Sequence, residues 1–150
     1  MASGAEDVLK KLTMQKRRLK QLNVYKASAG AIKNVPQHSP EELQNIVRWN
    51  EFGTHDIPAR SFLRGALYRN SKHGWRYVSR EAVKGVLNGT LTGNKAYKLI
   101  GKRMGEDIKK QIDTIGPPNA PSTVRTKGRN QPLVDTGGLY RAIGGKAVRR

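Results

Sequence analysis

The stretch KAYKLIGKRMGEDIKKQIDTI, residues 95–115, carries the most regular pattern in the chain. Its apolar residues recur at spacings of three and four, namely Ala96, Ile100, Met104, Ile108, Ile112 and Ile115. This spacing is typical of an amphipathic helix with one buried face. We therefore expect a long core helix from about Lys95 to Ile115, with the rest of the chain arranged to cover its apolar face.

Two further helices are predicted before this one. Ser39 is a suitable cap, and Pro40 fits the first helical position of a helix that ends at Gly53. A longer helix is predicted from Ser61 to about Leu87, with Gly74 as the point where it bends or is interrupted.

The N-terminal part of the chain is predicted to be a helix followed by a strand. The helix runs from Ala5 to Leu22, and its thin apolar stripe is broken by Gln15 and Lys16. Such a helix is expected to pack weakly or against another subunit. The alternation of residues from Asn23 to Lys33 predicts a strand leading to a turn.

The C-terminal third begins with a segment rich in proline and glycine, GPPNAPSTVRTKGRNQP, at residues 116–132. This composition predicts a loop or arm. Asp135 or Thr136 is then expected to cap a short helical turn, and GGKAVRR is expected to form a last strand. The predicted organisation is a helical arm at residues 1–22 and a single domain at residues 23–150, a length that suits one domain.

The chain is strongly basic, with 29 Lys and Arg against 11 Asp and Glu and a formal charge of +18. Nucleic acid is one partner that this charge favours, because lysine and arginine release counterions from phosphate. Acidic patches on neighbouring proteins are the alternative. A local basic run supplies the candidate DNA-facing residues Lys16, Arg17, Arg18 and Lys20.

No sequence motif for a cofactor or a metal is present. The chain has no cysteine, and its three histidines lack the spacing of a metal site. No apolar run approaches the roughly 18 residues of a membrane span. Glu51 and Asp56 are candidates for a general acid and base, but salt-bridge or capping roles are favoured in so basic a chain.

Two separated stretches resemble one family of tailed-bacteriophage virion proteins, described as tail components, tail-completion or neck proteins. They are VRWNEFGTHDIPARSFLRGAL at residues 47–67 and PPNAPSTVRTKGRNQPLVDTGGLYRAI at residues 117–143. The resemblance covers about two thirds of the chain, from Ile46 to the C-terminus. Ser61 stands where the family usually has proline, and Ala142 stands where it commonly has serine.

The resemblance implies an α+β fold with a small, mostly antiparallel sheet packed by two or three helices. It implies a ring of six or twelve copies in the virion neck, assembled in the host cytoplasm, with no covalent chemistry and no membrane. The implied partners are other copies of the chain, the connector or adaptor, the tail terminator or tail tube proteins, and genomic DNA in or near the lumen.

The motifs also indicate which residues have structural roles and which lie at interfaces. Gly53 is expected to end one helix, Pro58 to stiffen the link, and Ser61 to start the next helix, with Phe52, Phe62, Leu63 and Leu67 anchoring this joint in the core. Structural roles in the second motif are expected for Leu133, Asp135, Thr136, Gly137 and Leu139. The candidate interface residues are Trp49, Glu51, Arg60, Arg64, Arg125, Lys127, Arg129, Arg149 and Arg150.

Three alternatives stay open at this point. Arg60 and Arg64 pair either with a partner or within the chain, with Glu51 or Asp56. The whole protein is either a virion component or an accessory protein that binds DNA without regard to sequence. A hydrolase that acts through Glu51 and Asp56 is the third and least favoured hypothesis.

Overall fold

The computed structural model describes residues 4–116, 118–119, 121–128, 133 and 137–150, without the side chain of residue 127. These residues form seven helices and two strands. The helices are α1 (Gly4–Lys20), α2 (Pro40–Phe52), α3 (Phe62–Asn70), α4 (Gly74–Asn88), α5 (Gly93–Thr114), α6 (Pro121–Lys127) and α7 (Gly138–Ala142). The strands are β1 (Tyr25–Ala31) and β2 (Ile143–Arg149), and a single 3₁₀ turn, Gln21–Asn23, joins α1 to β1.

The sheet is an antiparallel pair in which β1 runs beside β2. The register runs from Tyr25 opposite Arg149 to Ala31 opposite Ile143. The backbone N–H of Arg150 donates to the carbonyl of Val24 at 2.8 Å and extends the pairing by one step. The sheet therefore joins two segments that are far apart in the sequence.

Helix α5 packs across both strands, and glycines make this contact very close. A Cβ atom added to Gly101 would lie 2.8 Å from the backbone nitrogen of Lys146, and one added to Gly105 would lie 2.9 Å from the carbonyl carbon of Gly144. A Cβ on Gly145 would overlap the carbonyl oxygen of Gly101. Helix backbone therefore lies directly on strand backbone.

The main core forms where α2, α3, α5, α7 and the sheet meet. Its largest fully buried side chains are Phe62, Ile112 and Ile143. A smaller cluster of Ala82, Val86 and Ala96 packs α4 against α5, and Leu22 covers one side of it. Both clusters share α5, so this helix is the common support of the molecule.

The α+β fold class is confirmed: the described residues are mostly helical and carry a small antiparallel sheet. The core helix, the helix after Ser39 and both strands are also confirmed. Ser39 forms a capping box with Glu42, as the sequence around Pro40 favours. The division between an arm and a domain at residue 22 stays a prediction, although α1 does contact α4.

The helix expected from Ser61 to about Leu87 is interrupted as predicted, and α4 begins at Gly74, the expected point of interruption. The chain leaves helical geometry at His73 (φ −123°, ψ −73°), in a stretch from Asn70 to Gly74 that is rich in weak helix formers. The segment at 116–132, for which a loop or arm was expected, contains the short helix α6. Pro121 opens that helix, in keeping with the fixed φ of proline at a first helical position.

Within the described ranges, no helix is long and apolar enough to cross a membrane.

Replacement of Gly145 by alanine tests the close contact between α5 and β2. The methyl group would collide with the backbone of Gly101, which neither element can move away from without separating helix and sheet. We expect Gly145→Ala to lower the free energy of unfolding by about 3 kcal/mol or more, measured by urea denaturation.

Gly4→Ala is the matched control, because a Cβ at Gly4 meets no atom within 4 Å. Its unfolding free energy should stay within about 0.5 kcal/mol of the parent. If Gly145→Ala were as stable as Gly4→Ala, the close contact between α5 and β2 would not be needed for the stability of the fold.

Candidate functional site

The first motif folds as a sharp corner between α2 and α3, and Gly53 makes the corner possible. Gly53 has a φ of 77°, a conformation that other L-amino acids rarely adopt. A Cβ at this position would also lie 2.9 Å from the backbone nitrogen of Ala59 and 2.9 Å from the carbonyl oxygen of Ile57. The predicted role of Gly53 as the end of the helix is confirmed.

The link from Thr54 to Arg60 is held by its own hydrogen bonds. The Thr54 hydroxyl accepts from the backbone N–H groups of Asp56 at 3.3 Å and Ile57 at 3.1 Å, and the Thr54 N–H donates to the Ile57 carbonyl at 2.8 Å. The Arg60 N–H donates to the Asn50 carbonyl at 2.6 Å. Pro58 follows this turn, where its fixed φ restricts the chain. The corner is therefore held by hydrogen bonds within the chain.

Glu51 caps the N-terminus of α3 from the end of α2. Its carboxylate accepts from the backbone N–H groups of Leu63 at 2.9 Å and Arg64 at 3.0 Å, and from Nε of Arg64 at 2.9 Å. The Glu51 side chain is only 4% exposed, and its negative charge lies at the positive end of the helix dipole. One carboxylate thus joins two helices and neutralises one arginine.

Ser61 immediately precedes α3, as expected, but its side chain does not cap the helix. Its hydroxyl instead donates to the Glu51 carbonyl at 2.9 Å and accepts from Nη2 of Arg64 at 2.7 Å. The N–H groups that Ser61 would satisfy are already taken by Glu51. The cap is therefore a tertiary contact rather than a local one.

Two of the predicted interface residues are inside the molecule. Glu51 and Arg60 are both buried, which corrects their assignment to an exposed interface. Burial lowers the pKa of the Arg60 guanidinium, although an arginine keeps its charge at neutral pH. Arg64 pairs with Glu51 inside the chain, which was one of its two predicted alternatives. Its side chain is nevertheless more than half exposed.

The aromatic residues of the corner divide between core and surface. Phe62 is fully buried, as predicted. Phe52 is 65% exposed and Leu67 is also exposed, so the expectation that they anchor the joint in the core was wrong. The Arg64 guanidinium lies 4.7 Å from the centre of the Phe52 ring. Together with exposed Trp49, this leaves an aromatic and cationic surface on the outside of the corner.

Glu51 and Asp56, the candidates for a general acid and base, are both engaged in other contacts. Glu51 accepts three hydrogen bonds from α3, whereas exposed Asp56 pairs with Nδ1 of His55 at 2.9 Å. In the described part of the chain, no group of three or more His, Asp or Glu side chains is arranged to hold a metal ion. These contacts give both carboxylates structural explanations.

Asp107 is a second buried carboxylate, and the sequence did not single it out. It accepts from the indole N–H of Trp75 at 3.0 Å and from Nε of Arg103 at 2.9 Å, and Lys110 lies 3.5 Å away. The spacing of Arg103 and Asp107 on one helix is visible in the sequence, but the partner on α4 is not. Asp107 ties α4 to α5.

The four predicted DNA-facing residues on α1 differ in exposure and contacts. Lys16, Arg17 and Lys20 are exposed. Arg18 instead donates from Nη1 to the carbonyl of Leu87 at 2.8 Å, so its assignment to a DNA-facing surface was wrong. Its long side chain fastens the end of α1 to the end of α4.

A second basic surface lies around the turn between α3 and α4. It consists of four exposed side chains, which we call the α3–α4 basic surface: Arg69, Lys72, Arg76 and Arg80. Arg76 and Arg80 are one turn apart on α4. As far as the chain is described, none of the four pairs with a carboxylate. The sequence did contain a signal for this surface, because no acidic residue lies between Asp56 and Glu81.

The predicted residues of the C-terminal half are spread over several elements. Leu139 is buried on α7, Gly137 immediately precedes that helix, and Leu133 packs at the edge of the core. The remaining exposed candidates are Arg125 on α6 and Arg149 and Arg150 at the end of β2. Arg129, Asp135, Thr136 and the side chain of Lys127 lie outside the described residues.

Comparisons of the chain with protein-family models, with curated proteins and with solved structures found no match.

Replacement of Glu51 by glutamine tests the cap on α3. Glutamine removes the charge and turns an NH₂ group toward donors that need an acceptor. We expect Glu51→Gln to lower the free energy of unfolding by about 2–3 kcal/mol, measured by urea denaturation.

Asp56→Asn is the matched control, because it makes the same chemical change on an exposed residue of the same corner. It should change stability by no more than about 0.5 kcal/mol. Equal effects of the two substitutions would show that the Glu51 cap does not stabilise the corner.

Proposed function

We propose that this chain is a structural virion protein of a tailed bacteriophage. It assembles as a ring of six or twelve copies at the head–tail junction and joins the tail to the connector around the DNA channel. The observation that carries the proposal is the corner formed by residues 50–64. The first of the two stretches that carry the family resemblance folds as a corner whose buried carboxylate is fully engaged within the chain.

The exposed features of the structure support a role in assembly. A ring of identical subunits needs two different patches that fit each other on adjacent copies. Helix α1 has no buried residue, and Trp49 and Phe52 leave aromatic surface exposed beside Arg64. Within the described residues, β1 and β2 are each other's only strand partners, so each has an edge without a neighbouring strand.

The positive charge of the chain favours acidic partners. A formal charge of +18 suits either DNA in the lumen or acidic surfaces on the connector. In the described part of the chain, the α3–α4 basic surface and Lys16, Arg17 and Lys20 of α1 expose this charge without an ion pair to a carboxylate.

Deletion of the gene from a phage genome tests the proposed position in the virion. We expect lysates with DNA-filled heads and separate tails when seen by electron microscopy, and a fall in infectious titre of several orders of magnitude. Expression of the chain from a plasmid should restore joined particles. Joined, infectious particles without the protein would overturn the proposal.

A second candidate function is an accessory protein that binds DNA without sequence preference. The α3–α4 basic surface favours it, because four exposed cations on one surface suit contacts to the phosphate backbone. In that case the protein would be absent from purified virions.

DNA binding itself has a quantitative test in the salt dependence of affinity. We expect neutralisation of Arg69, Lys72, Arg76 and Arg80 by glutamine to reduce the slope of log K against log salt by about 0.9 for each phosphate that the variant no longer neutralises. A triple glutamine variant of Lys16, Arg17 and Lys20 provides the comparison on α1. A slope that neither variant changes would exclude both surfaces as DNA contacts.

A further inference from the structure

The two strands turn one face toward α5 and the other face away from it. Side chains alternate between the faces of a strand, so every second residue shares a face. Ala29, Ala31 and Ile143 pack into the main core. A Cβ added to Gly145 would overlap the carbonyl oxygen of Gly101 on α5. These strand residues define the inner face. The residues between them form the opposite side, which we call the outer sheet face: Lys26, Ser28, Gly30, Gly144, Lys146 and Val148.

The centre of the outer sheet face carries only small residues. A Cβ added to Gly30 would meet no atom of the described residues within 4 Å. A Cβ added to Gly144 would lie 2.6 Å from Cε of Lys33, so the stem of this lysine lies across the face. Ser28, Gly30 and Gly144 therefore have no large side chain that would hold a flat partner away from the strands.

Exposed cations surround this centre. Lys26, Lys33 and Lys146 are exposed. Arg150 is also exposed, and it follows Val148 by two residues on the same face. Lys26 lies opposite Val148, so its backbone is roughly 7–8 Å from the backbones of its diagonal neighbours Lys146 and Arg150. As far as the chain is described, none of these four cations forms an ion pair with a carboxylate.

The two strands come from stretches of sequence that contain no acidic residue. The chain has no Asp or Glu between Asp7 and Glu41, and this stretch contains β1. It has none after Asp135, in the stretch that contains β2. Pairing of the strands brings these two stretches together. The positive potential of the outer sheet face is therefore supplied by both strands and is not cancelled by their own side chains.

This surface is separate from the α3–α4 basic surface. Helix α5 contacts the sheet through Gly101 and Gly105, and it contacts α4 through Ala96. The outer sheet face points away from α5, whereas α4 packs against α5 itself. DNA on one of these surfaces can therefore be distinguished from DNA on the other by substitution.

The chemistry of the outer sheet face suits duplex DNA. Proteins bind single strands largely by stacking bases on aromatic side chains, and no residue of this face is aromatic. A two-stranded ribbon fits the major groove, which is about 12 Å wide. From Gly144 to Arg150 the face is roughly 20 Å long at about 3.3 Å per residue. Because it is longer than the groove is wide, cations at its two ends can reach phosphates on both sides of the groove.

We propose that the outer sheet face, with Lys33 and Arg150 at its ends, binds the phosphate backbone of duplex DNA. Lysines contact phosphates without reading base edges, so this binding has no sequence preference. The contact deepens the proposed function by naming the face of the subunit that meets the DNA. It rests on that function only for placing the DNA in the virion channel.

The salt dependence of affinity for a short, fluorescently labelled duplex of mixed sequence tests the contact by anisotropy. The variant Lys26→Gln/Lys146→Gln removes two cations from the outer sheet face. We expect it to bind the duplex at least tenfold more weakly than the parent at about 0.1 M salt. We also expect the slope of log K against log salt to fall by about 1.8, which is about 0.9 for each lost phosphate contact.

Lys95→Gln/Lys98→Gln is the matched control. It removes the same charge from two exposed lysines on α5, which packs against the inner face of the sheet. Its affinity should stay within about twofold of the parent, because salt screens charges that do not touch the DNA. Circular dichroism and urea denaturation check that both variants keep the parent fold. Equal losses in the two variants, or no loss in Lys26→Gln/Lys146→Gln, would overturn the proposal.

The form of nucleic acid provides a second measurement on the parent chain. We expect the duplex to bind more tightly than either of its separated strands at the same salt concentration. Tighter binding of a single strand would contradict a face that has no aromatic side chain for stacking, and it would overturn the proposal.

Photocross-linking locates the DNA without removing a cation. The parent chain has no cysteine, so Ser28→Cys and Ser71→Cys each provide a single thiol for an aryl azide. Ser28 lies opposite Lys146 on the outer sheet face, and Ser71 directly follows α3 beside the α3–α4 basic surface. We expect cross-linking to the duplex from position 28 at a level well above that from position 71. Cross-linking from position 71 that equals or exceeds that from position 28 would overturn the proposal.

The two proposals fail separately. Weak DNA binding by Lys26→Gln/Lys146→Gln, together with joined, infectious particles in the deletion phage, would leave the DNA contact standing and remove the neck function. A ring of this chain in the virion neck, together with normal DNA binding by Lys26→Gln/Lys146→Gln, would leave the function standing and remove the contact.

Discussion

The approach of α5 to β2 is the constraint on which the other contacts depend. Backbone meets backbone because Gly101 and Gly105 of the helix face Gly144 and Gly145 of the strand. This brings α5 close enough to the sheet for Ile112 and Ile143 to share one core, while its other side supports α4. A larger side chain at Gly101, Gly105 or Gly145 would collide with the backbone of the facing element and increase the separation of helix and strand.

Sequence patterns that lie within a single helix predicted that helix well. The spacing of apolar residues identified α5, and Ser39 with Pro40 identified the start of α2, because both signals depend on near neighbours in sequence. The cap on α3 was missed for the opposite reason. Local chemistry favours Ser61, but a carboxylate ten residues earlier, Glu51, occupies the same N–H groups through the tertiary structure.

The candidate surfaces were harder to predict than the fold. The basic run on α1 was visible in the sequence, but the sequence does not show that Arg18 is used to attach the helix to Leu87. The α3–α4 basic surface was detectable as a long stretch without acids. The contact of Asp107 on α5 with Trp75 on α4 was not, because the residues that two helices turn toward each other are known only once their packing is known.

The pairing of β1 with β2 has a consequence for synthesis of the protein. Tyr25 lies opposite Arg149, so the pairing cannot be completed until residue 149 has left the ribosome. Until then, α5 lacks the strand on which its glycine face rests, and the main core lacks Ile143. Chains that stop before β2 should therefore be unable to complete the fold, which would keep them out of any assembly built from this protein.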